Sequence, residues 1–124
     1  MKKVILFVYL LTLSSCFLFK DKGVLLKIEN VSDHPVTHIK ISTSENLDSI
    51  TFDEIAPKDY REDFLNMKNN KLDGHYTLSY IRQDGSTVTE NHGYYTNGGA
   101  LDSWIRFEIQ NDTTFVNYGD FKAY

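Results

Sequence analysis

The sequence has a single cysteine, Cys16, among 124 residues. That excludes an intrachain disulfide framework, and with it any paired-cysteine zinc or redox site. Only two prolines occur, Pro35 and Pro57, and no low-complexity tract, internal repeat or linker interrupts the chain. The longest apolar stretch, Val4 to Leu13, is ten residues without a charge, interrupted only by Tyr9 and Thr12. A helix needs about 20 apolar residues to cross the hydrocarbon of a bilayer, so this run does not span. No basic cluster of the kind that grips a phosphate backbone is present, which argues against nucleic acid as a partner. Catalytic signatures are missing as well. There is no Gly-x-Ser-x-Gly, Ser79, Ser86 and Ser103 have no motif around them, and Gly98-Gly99 lacks the lysine and helix of a phosphate-cradling loop. The expectation is a non-enzymatic protein without cofactor or metal.

What the N-terminus does contain is ordered. Met1-Lys2-Lys3 is a positive start, Val4 to Leu13 is an apolar run of signal-peptide length, and Leu13-Ser14-Ser15-Cys16 follows at once. This succession resembles the lipobox of bacterial lipoprotein precursors. The resemblance covers residues 1–16. It implies that residues 1–15 are a cleaved signal peptide, that Cys16 becomes the acylated first residue, and that residues 16–23 form a short tether to a domain over 24–124. The thiol, consumed by lipid, is then unavailable for catalysis. Each buried methylene contributes about 0.8 kcal/mol, one chain holds only marginally, and two or three hold stably. Phe17 stands where an aspartate would retain many such proteins at the inner membrane, so the resemblance implies the outer membrane, facing the periplasm or the cell surface. Lys20-Asp21 faintly resembles the lysine- and acid-rich surface-export signals of some lipoproteins.

Formal charge is -4. Without Lys2 and Lys3, 11 basic residues face 17 acidic ones, a net -6. An acidic body on a lipid tether is expected to be soluble and mildly repelled by anionic head groups.

Beyond residue 23, turn residues recur every 8–15 positions and the apolar pattern between them has period two. Strands are expected at Val24 to Asn30 (Val24, Leu26 and Ile28 inward), Val36 to Ser42 (Thr37, Ile39 and Ile41 inward), Ser49 to Ile55 and Tyr60 to Met67. Others are expected at Gly74 to Gln83 (Tyr76, Leu78 and Tyr80 inward), Ser86 to His92, Leu101 to Gln110 (Ile105, Phe107 and Ile109 inward) and Thr113 to Tyr118. Seven or eight short antiparallel strands indicate an all-β protein, a single immunoglobulin-like β-sandwich, with a small closed barrel as the alternative. The segment from Phe52 to Pro57 resembles the strand-to-strand crossover of small exported β-sandwich domains.

Two groups of side chains stand out as candidate chemistry. If Asp84-Gly85 is a two-residue turn, Gln83 faces Ser86, and His75, Glu90 and His92 then share one face. Because Tyr76, Leu78 and Tyr80 claim the opposite face for the core, the expectation is a wet strand surface rather than a metal site. The stretch Gly93 to Gly99 reads as a glycine-rich recognition loop. Its residues Tyr94, Tyr95, Thr96 and Asn97 could contact a protein or glycan ligand, rings supplying rigid area and amides adapting to polar groups. Asn30-Val31-Ser32 and Asn111-Asp112-Thr113 match a glycosylation pattern that means little in a bacterial protein. The function expected is a membrane-anchored structural or binding module of the cell envelope. The alternative is an inhibitor of host or competitor hydrolases, although the disulfide and Ser-Gly loop of lipoprotein lysozyme inhibitors are missing.

Overall fold

A computed structural model describes residues 22–121, with the side chains of Asp120 and Phe121 excepted. The expected signal peptide over residues 1–15 and the expected lipidation site Cys16 lie outside the described residues. Among the described residues nine strands follow one another without a helix: β1 Gly23–Asn30, β2 Val36–Thr43, β3 Ser49–Ile55, β4 Tyr60–Asn66, β5 Gly74–Ile81, β6 Thr87–Thr96, β7 Gly99–Ala100, β8 Asp102–Ile109 and β9 Thr114–Phe121. Each expected strand is present, and the two-residue β7 is additional. No helix among the described residues is long and apolar enough to cross a membrane.

The strands form two sheets, ordered β4-β1-β8-β9 and β3-β2-β5-β6-β7. No ladder joins them, so the architecture is a two-layer sandwich and not a closed barrel. Alternate residues of both sheets meet between the layers: Val24, Leu26 and Ile28 from β1, Tyr76, Leu78 and Tyr80 from β5, and Ile105, Phe107 and Ile109 from β8 are all buried.

Two features depart from a simple antiparallel meander. β1 and β8 pair in parallel, Leu25 beside Trp104 through Asn30 beside Ile109. Both strands enter the four-stranded sheet from the same end: β1 at the start of the domain, β8 after the chain crosses back from β7. The first two strands also lie in different sheets, whereas an antibody constant domain keeps them together.

The second departure is in phase. His38 sits at φ +51° and the β2–β5 register shifts between Thr37 and Lys40. This β-bulge carries Val36 inward, turns Thr37 aside, and returns Ile39 and Ile41 to the core. The expected inward Thr37 is therefore corrected to Val36. A run of one hydroxyl and two isoleucines hid the extra residue.

The loops gather at two ends. One end carries Lys22, where the domain begins, with the β2–β3 loop, the β4–β5 loop and the β6–β7 turn. The other carries the β1–β2, β3–β4, β5–β6 and β8–β9 connections.

Candidate ligand-binding surface

The β5–β6 hairpin decides where the candidate side chains fall. Arg82 N–H donates to Ser86 O (2.9 Å) and Gly85 N–H to Arg82 O (2.9 Å), with Gly85 at φ +85°. The connection is thus three residues, Gln83-Asp84-Gly85, closed by a glycine in the left-handed region. One extra residue slips the register and exchanges the faces. Tyr76 lies opposite His92, and Leu78 opposite Glu90. Glu90 and His92 consequently turn toward the sandwich interior, partly buried and 3.0 Å apart (Oε2 to Nε2), with the His92 ring edge-on to Phe107 at 5.7 Å. His75 is on the other face. The expected set of His75, Glu90 and His92 is broken up, and no group of three metal-binding side chains exists among the described residues.

Further along β6, Gly93 adopts φ +69° and the register shifts again between Gly74 and Tyr76. Gly93 and Tyr94 together oppose His75, a glycine bulge that restores Tyr95 to the core face. Gly93 to Thr96 is therefore strand and not loop. Asn97 (φ +49°) and Gly98 (φ +73°) make a two-residue turn between Thr96 and Gly99, the backbone that an Asn-Gly pair favours. Gly98 is obligatory, because a Cβ there would lie 1.9 Å from the Asn70 carbonyl oxygen.

The four expected contact residues separate accordingly. Tyr95 is 0% exposed, its ring 5.6 Å from that of Tyr76. Its hydroxyl donates to Glu45 Oε2 at 2.9 Å and lies 3.3 Å from Ser44 Oγ. Burial pushes the Tyr95 hydroxyl up from its ordinary value, the Ser44 bond working against this and Glu45 with it. Tyr95 is thus a core residue and cannot meet a ligand. Tyr94 is 51% exposed. Thr96 Oγ1 and the Asn97 amide both donate to Asp73 Oδ1 at 2.8 Å, so the turn is pinned from below.

Those carboxylates have a consequence for pH. Bonds from the Asn97 amide and the Thr96 and Tyr94 hydroxyls hold Asp73 below its ordinary 3.8. Burial works against the Glu45 carboxylate, yet the Lys71 and Leu72 amides and the Tyr95 hydroxyl outweigh it and hold Glu45 below 4.5. A depressed folded value means that the carboxylate's stabilisation is complete above the unfolded value and is lost as pH falls through the folded one. The melting temperature is expected to change little on account of these groups from pH 7 to about 5 and to fall in acid below about pH 4. Asp73→Asn combined with Glu45→Gln should flatten the acid limb in a calorimetric pH series. An unchanged acid limb would show that the two carboxylates carry none of it.

At the far end, the described residues enclose a cleft of about 350 Å³ lined by Ser32, His34, Pro35, Arg82, Asp84 and Asn111, among others. Its walls are fixed by polar bonds. Asn30, fully buried, donates from Nδ2 to the carbonyls of Ile55 and His34 (both 2.9 Å), and its Oδ1 accepts from the Ser32 amide at 3.0 Å. Asp33 N–H donates to Asn111 Oδ1 (2.9 Å) and Asn111 Nδ2 returns a bond to Asp33 Oδ2 (3.0 Å), tying the β1–β2 loop to the β8–β9 turn. Arg82 donates to Gln110 O at 2.9 Å and to the Tyr80 hydroxyl at 3.0 Å, its guanidinium 5.3 Å from the centre of the Tyr80 ring. Both asparagines of the glycosylation-like triplets thus have their amides engaged in holding loops. Periodicity could not reveal this cleft, because its parts are distant in sequence. The signal that was present is the side-chain-to-backbone bonding that Asn and Ser favour at turns.

No family model and no curated protein matches the chain. It is similar in fold to the NMR structure of a protein from Eubacterium rectale, with a TM-score of 0.58 at 14% identity, over 82% of this chain and 94% of that one. At that identity the likeness concerns the fold alone.

Proposed function

We propose that the protein is a lipoprotein of the bacterial cell envelope, most simply the outer membrane. Cys16 is the acylated anchor, and the sandwich, immunoglobulin-like in its two packed sheets though not in its strand order, is a non-enzymatic recognition scaffold with its working surface at the end away from the tether. Residues 1–16 support the anchor, since charge, apolar run and lipobox occur there in order. Two packed sheets with loops clustered at both ends support the scaffold. The observation that carries the choice of surface is that the chain enters at Lys22 and Gly23, whereas the Ser32–Arg82–Asn111 cleft lies at the opposite end.

An anchored domain meets its partners on the side that faces away from its own membrane. A preformed concave surface with convergent polar groups is the usual form of a binding site. The exposed side chains of His34, Gln83 and Asp84 rim it and have no place in the core. The ligand is a protein or glycan of the envelope or its surroundings.

The test is site-specific photo-crosslinking in intact cells. A crosslinker in place of Gln83 should give a discrete adduct, and one in place of exposed Asn91 on the five-stranded sheet should give none. Equal labelling from both positions, or none from Gln83, would remove the cleft assignment.

A further inference from the structure

The large apolar side chains that remain exposed are not scattered evenly. Leu25, Phe64 and Trp104 stand in one row across the outer face of the four-stranded sheet, Leu25 paired with Phe64 on one side and with Trp104 on the other. The Phe64 ring lies over Gly23 and the Trp104 ring over Gly119, each occupying the space a Cβ would need. This row is two residues from where β1 begins.

Two loop tips extend the same end. Leu47 in the β2–β3 loop is 54% exposed and Leu72 in the β4–β5 loop 66%. Glu45 fastens these loops together by accepting from the Lys71 and Leu72 amides at 3.2 and 3.1 Å. Tyr94 is exposed in the same half. At the far end, the exposed large side chains are Val31, Tyr60 and Phe115, and no such row joins them.

Exposed lysines are more numerous at this end, three against Lys58 alone in the connections of the other. Lys22, Lys68 and Lys71 are exposed at the tether end, and none is ion-paired among the described residues. Among the carboxylates at this end, Glu45, Asp48 and Asp73 turn onto loop amides and hydroxyls, and Asp102 at the start of β8 is half-buried beside Tyr118. A chain with a net -6 body thus presents exposed lysines where the tether joins it. Single exposed apolar residues are ordinary, but a cluster rimmed by cations is the composition of an interfacial contact.

We propose that the tether end of the sandwich is itself a membrane-docking surface. Leu47, Leu72, Leu25, Phe64 and Trp104 rest in the head-group region of the bilayer, and Lys22, Lys68 and Lys71 contact anionic lipid. The proposal rests on the acylation of Cys16. From Cys16 to Gly23 the chain reaches at most about 25 Å when fully extended, so the anchored end cannot leave the membrane surface by more than that. Docking fixes the orientation of the domain and points the far cleft outward, instead of leaving the sandwich to tumble on its leash.

The protein carries one tryptophan, Trp104, which makes it its own depth probe. The full-length lipoprotein is reconstituted in phosphatidylethanolamine–phosphatidylglycerol vesicles with acyl chains brominated near the head group. Flotation of the protein with the vesicles reads the anchor, and tryptophan quenching reads docking. Trp104 should be quenched. With Trp104→Phe as background, Leu72→Trp should be quenched several-fold more strongly than Phe115→Trp at the far end, and raising salt should weaken the difference. Flotation with Trp104 unquenched, or with equal quenching at 72 and 115, would overturn docking while leaving the anchor intact. Failure of the full chain to float would overturn the anchor reading instead.

Discussion

Tyr95→Ala is expected to lower the stability of the domain by about 3–5 kcal/mol, the range for aromatic-to-alanine changes in a core. The side chain has no exposed surface and packs on Tyr76. Removing it leaves a hole bounded by Tyr76, whose own hydroxyl reaches Met67 Sδ, and by the Glu45 carboxylate that loses its hydroxyl donor. For a domain of this size each kcal/mol moves the melting temperature by about 4–8 °C, so a drop of ~12 °C or more is expected. Tyr94→Ala, one residue away, removes a half-exposed ring and should stay within about 0.5 kcal/mol. The pair therefore separates two pictures of Gly93 to Gly99. In a recognition loop, neither substitution would affect folding and both would affect binding. In a strand with a glycine bulge, one destabilises severely and the other hardly at all. Equal, small effects on thermal melting would contradict the bulge.

Asn30→Leu should be nearly as damaging, at about 3 kcal/mol. The carboxamide is fully buried and uses its Nδ2 group on two carbonyls, His34 in the β1–β2 loop and Ile55 at the end of β3, and its Oδ1 on Ser32. A leucine of similar size fills the space but strands those partners, and each buried polar group left without a bond costs about 1–3 kcal/mol. The effect should be visible as a lower midpoint in urea with an unchanged slope, since the compactness of the native state is not at issue. Asn111→Leu breaks only the exposed pair with Asp33 and should cost under about 1 kcal/mol. Comparable losses at the two positions would mean that the buried network does not organise the β1–β2 loop. A marked loss of partner binding in Asn111→Leu at unchanged stability would, in turn, support the cleft.

Which parts of this architecture could be read from the residues follows from how locally each is determined. Alternation at Val24-Leu26-Ile28, Tyr76-Leu78-Tyr80 and Ile105-Phe107-Ile109 is a property of the strands themselves, and all nine side chains are buried as the alternation requires. Asp84-Gly85 marks its hairpin correctly but leaves the turn length open, because Asp-Gly suits both a two-residue turn and the three-residue form with Gly85 closing it. That single residue decided the faces of Glu90 and His92. The phase changes at His38 and Gly93 are invisible to a period-two count, since a bulge is defined by what the neighbouring strand does. Asn97-Gly98 carried a hairpin signal as strong as Asp84-Gly85, but the surrounding tyrosines and glycines made the segment read as one loop. The parallel pairing of β1 with β8 joins residues 75 or more apart and has no local signature at all. The cleft is built from the same kind of distant pairing.

The proposed anchor rests on the opposite kind of signal. A signal peptide and lipobox act as linear sequence, read by an export machinery before any fold exists. In the proposed reading the direction of the whole molecule depends on Cys16, from the end near Lys22 proposed to dock to the cleft beyond His34. The most direct test is the intact mass of the protein taken from its native membrane. A chain beginning at Cys16 and heavier than residues 16–124 by a diacylglyceryl group, with or without a further acyl chain on the amine, is the predicted result. A free thiol at Cys16 with residues 1–15 still attached would contradict it.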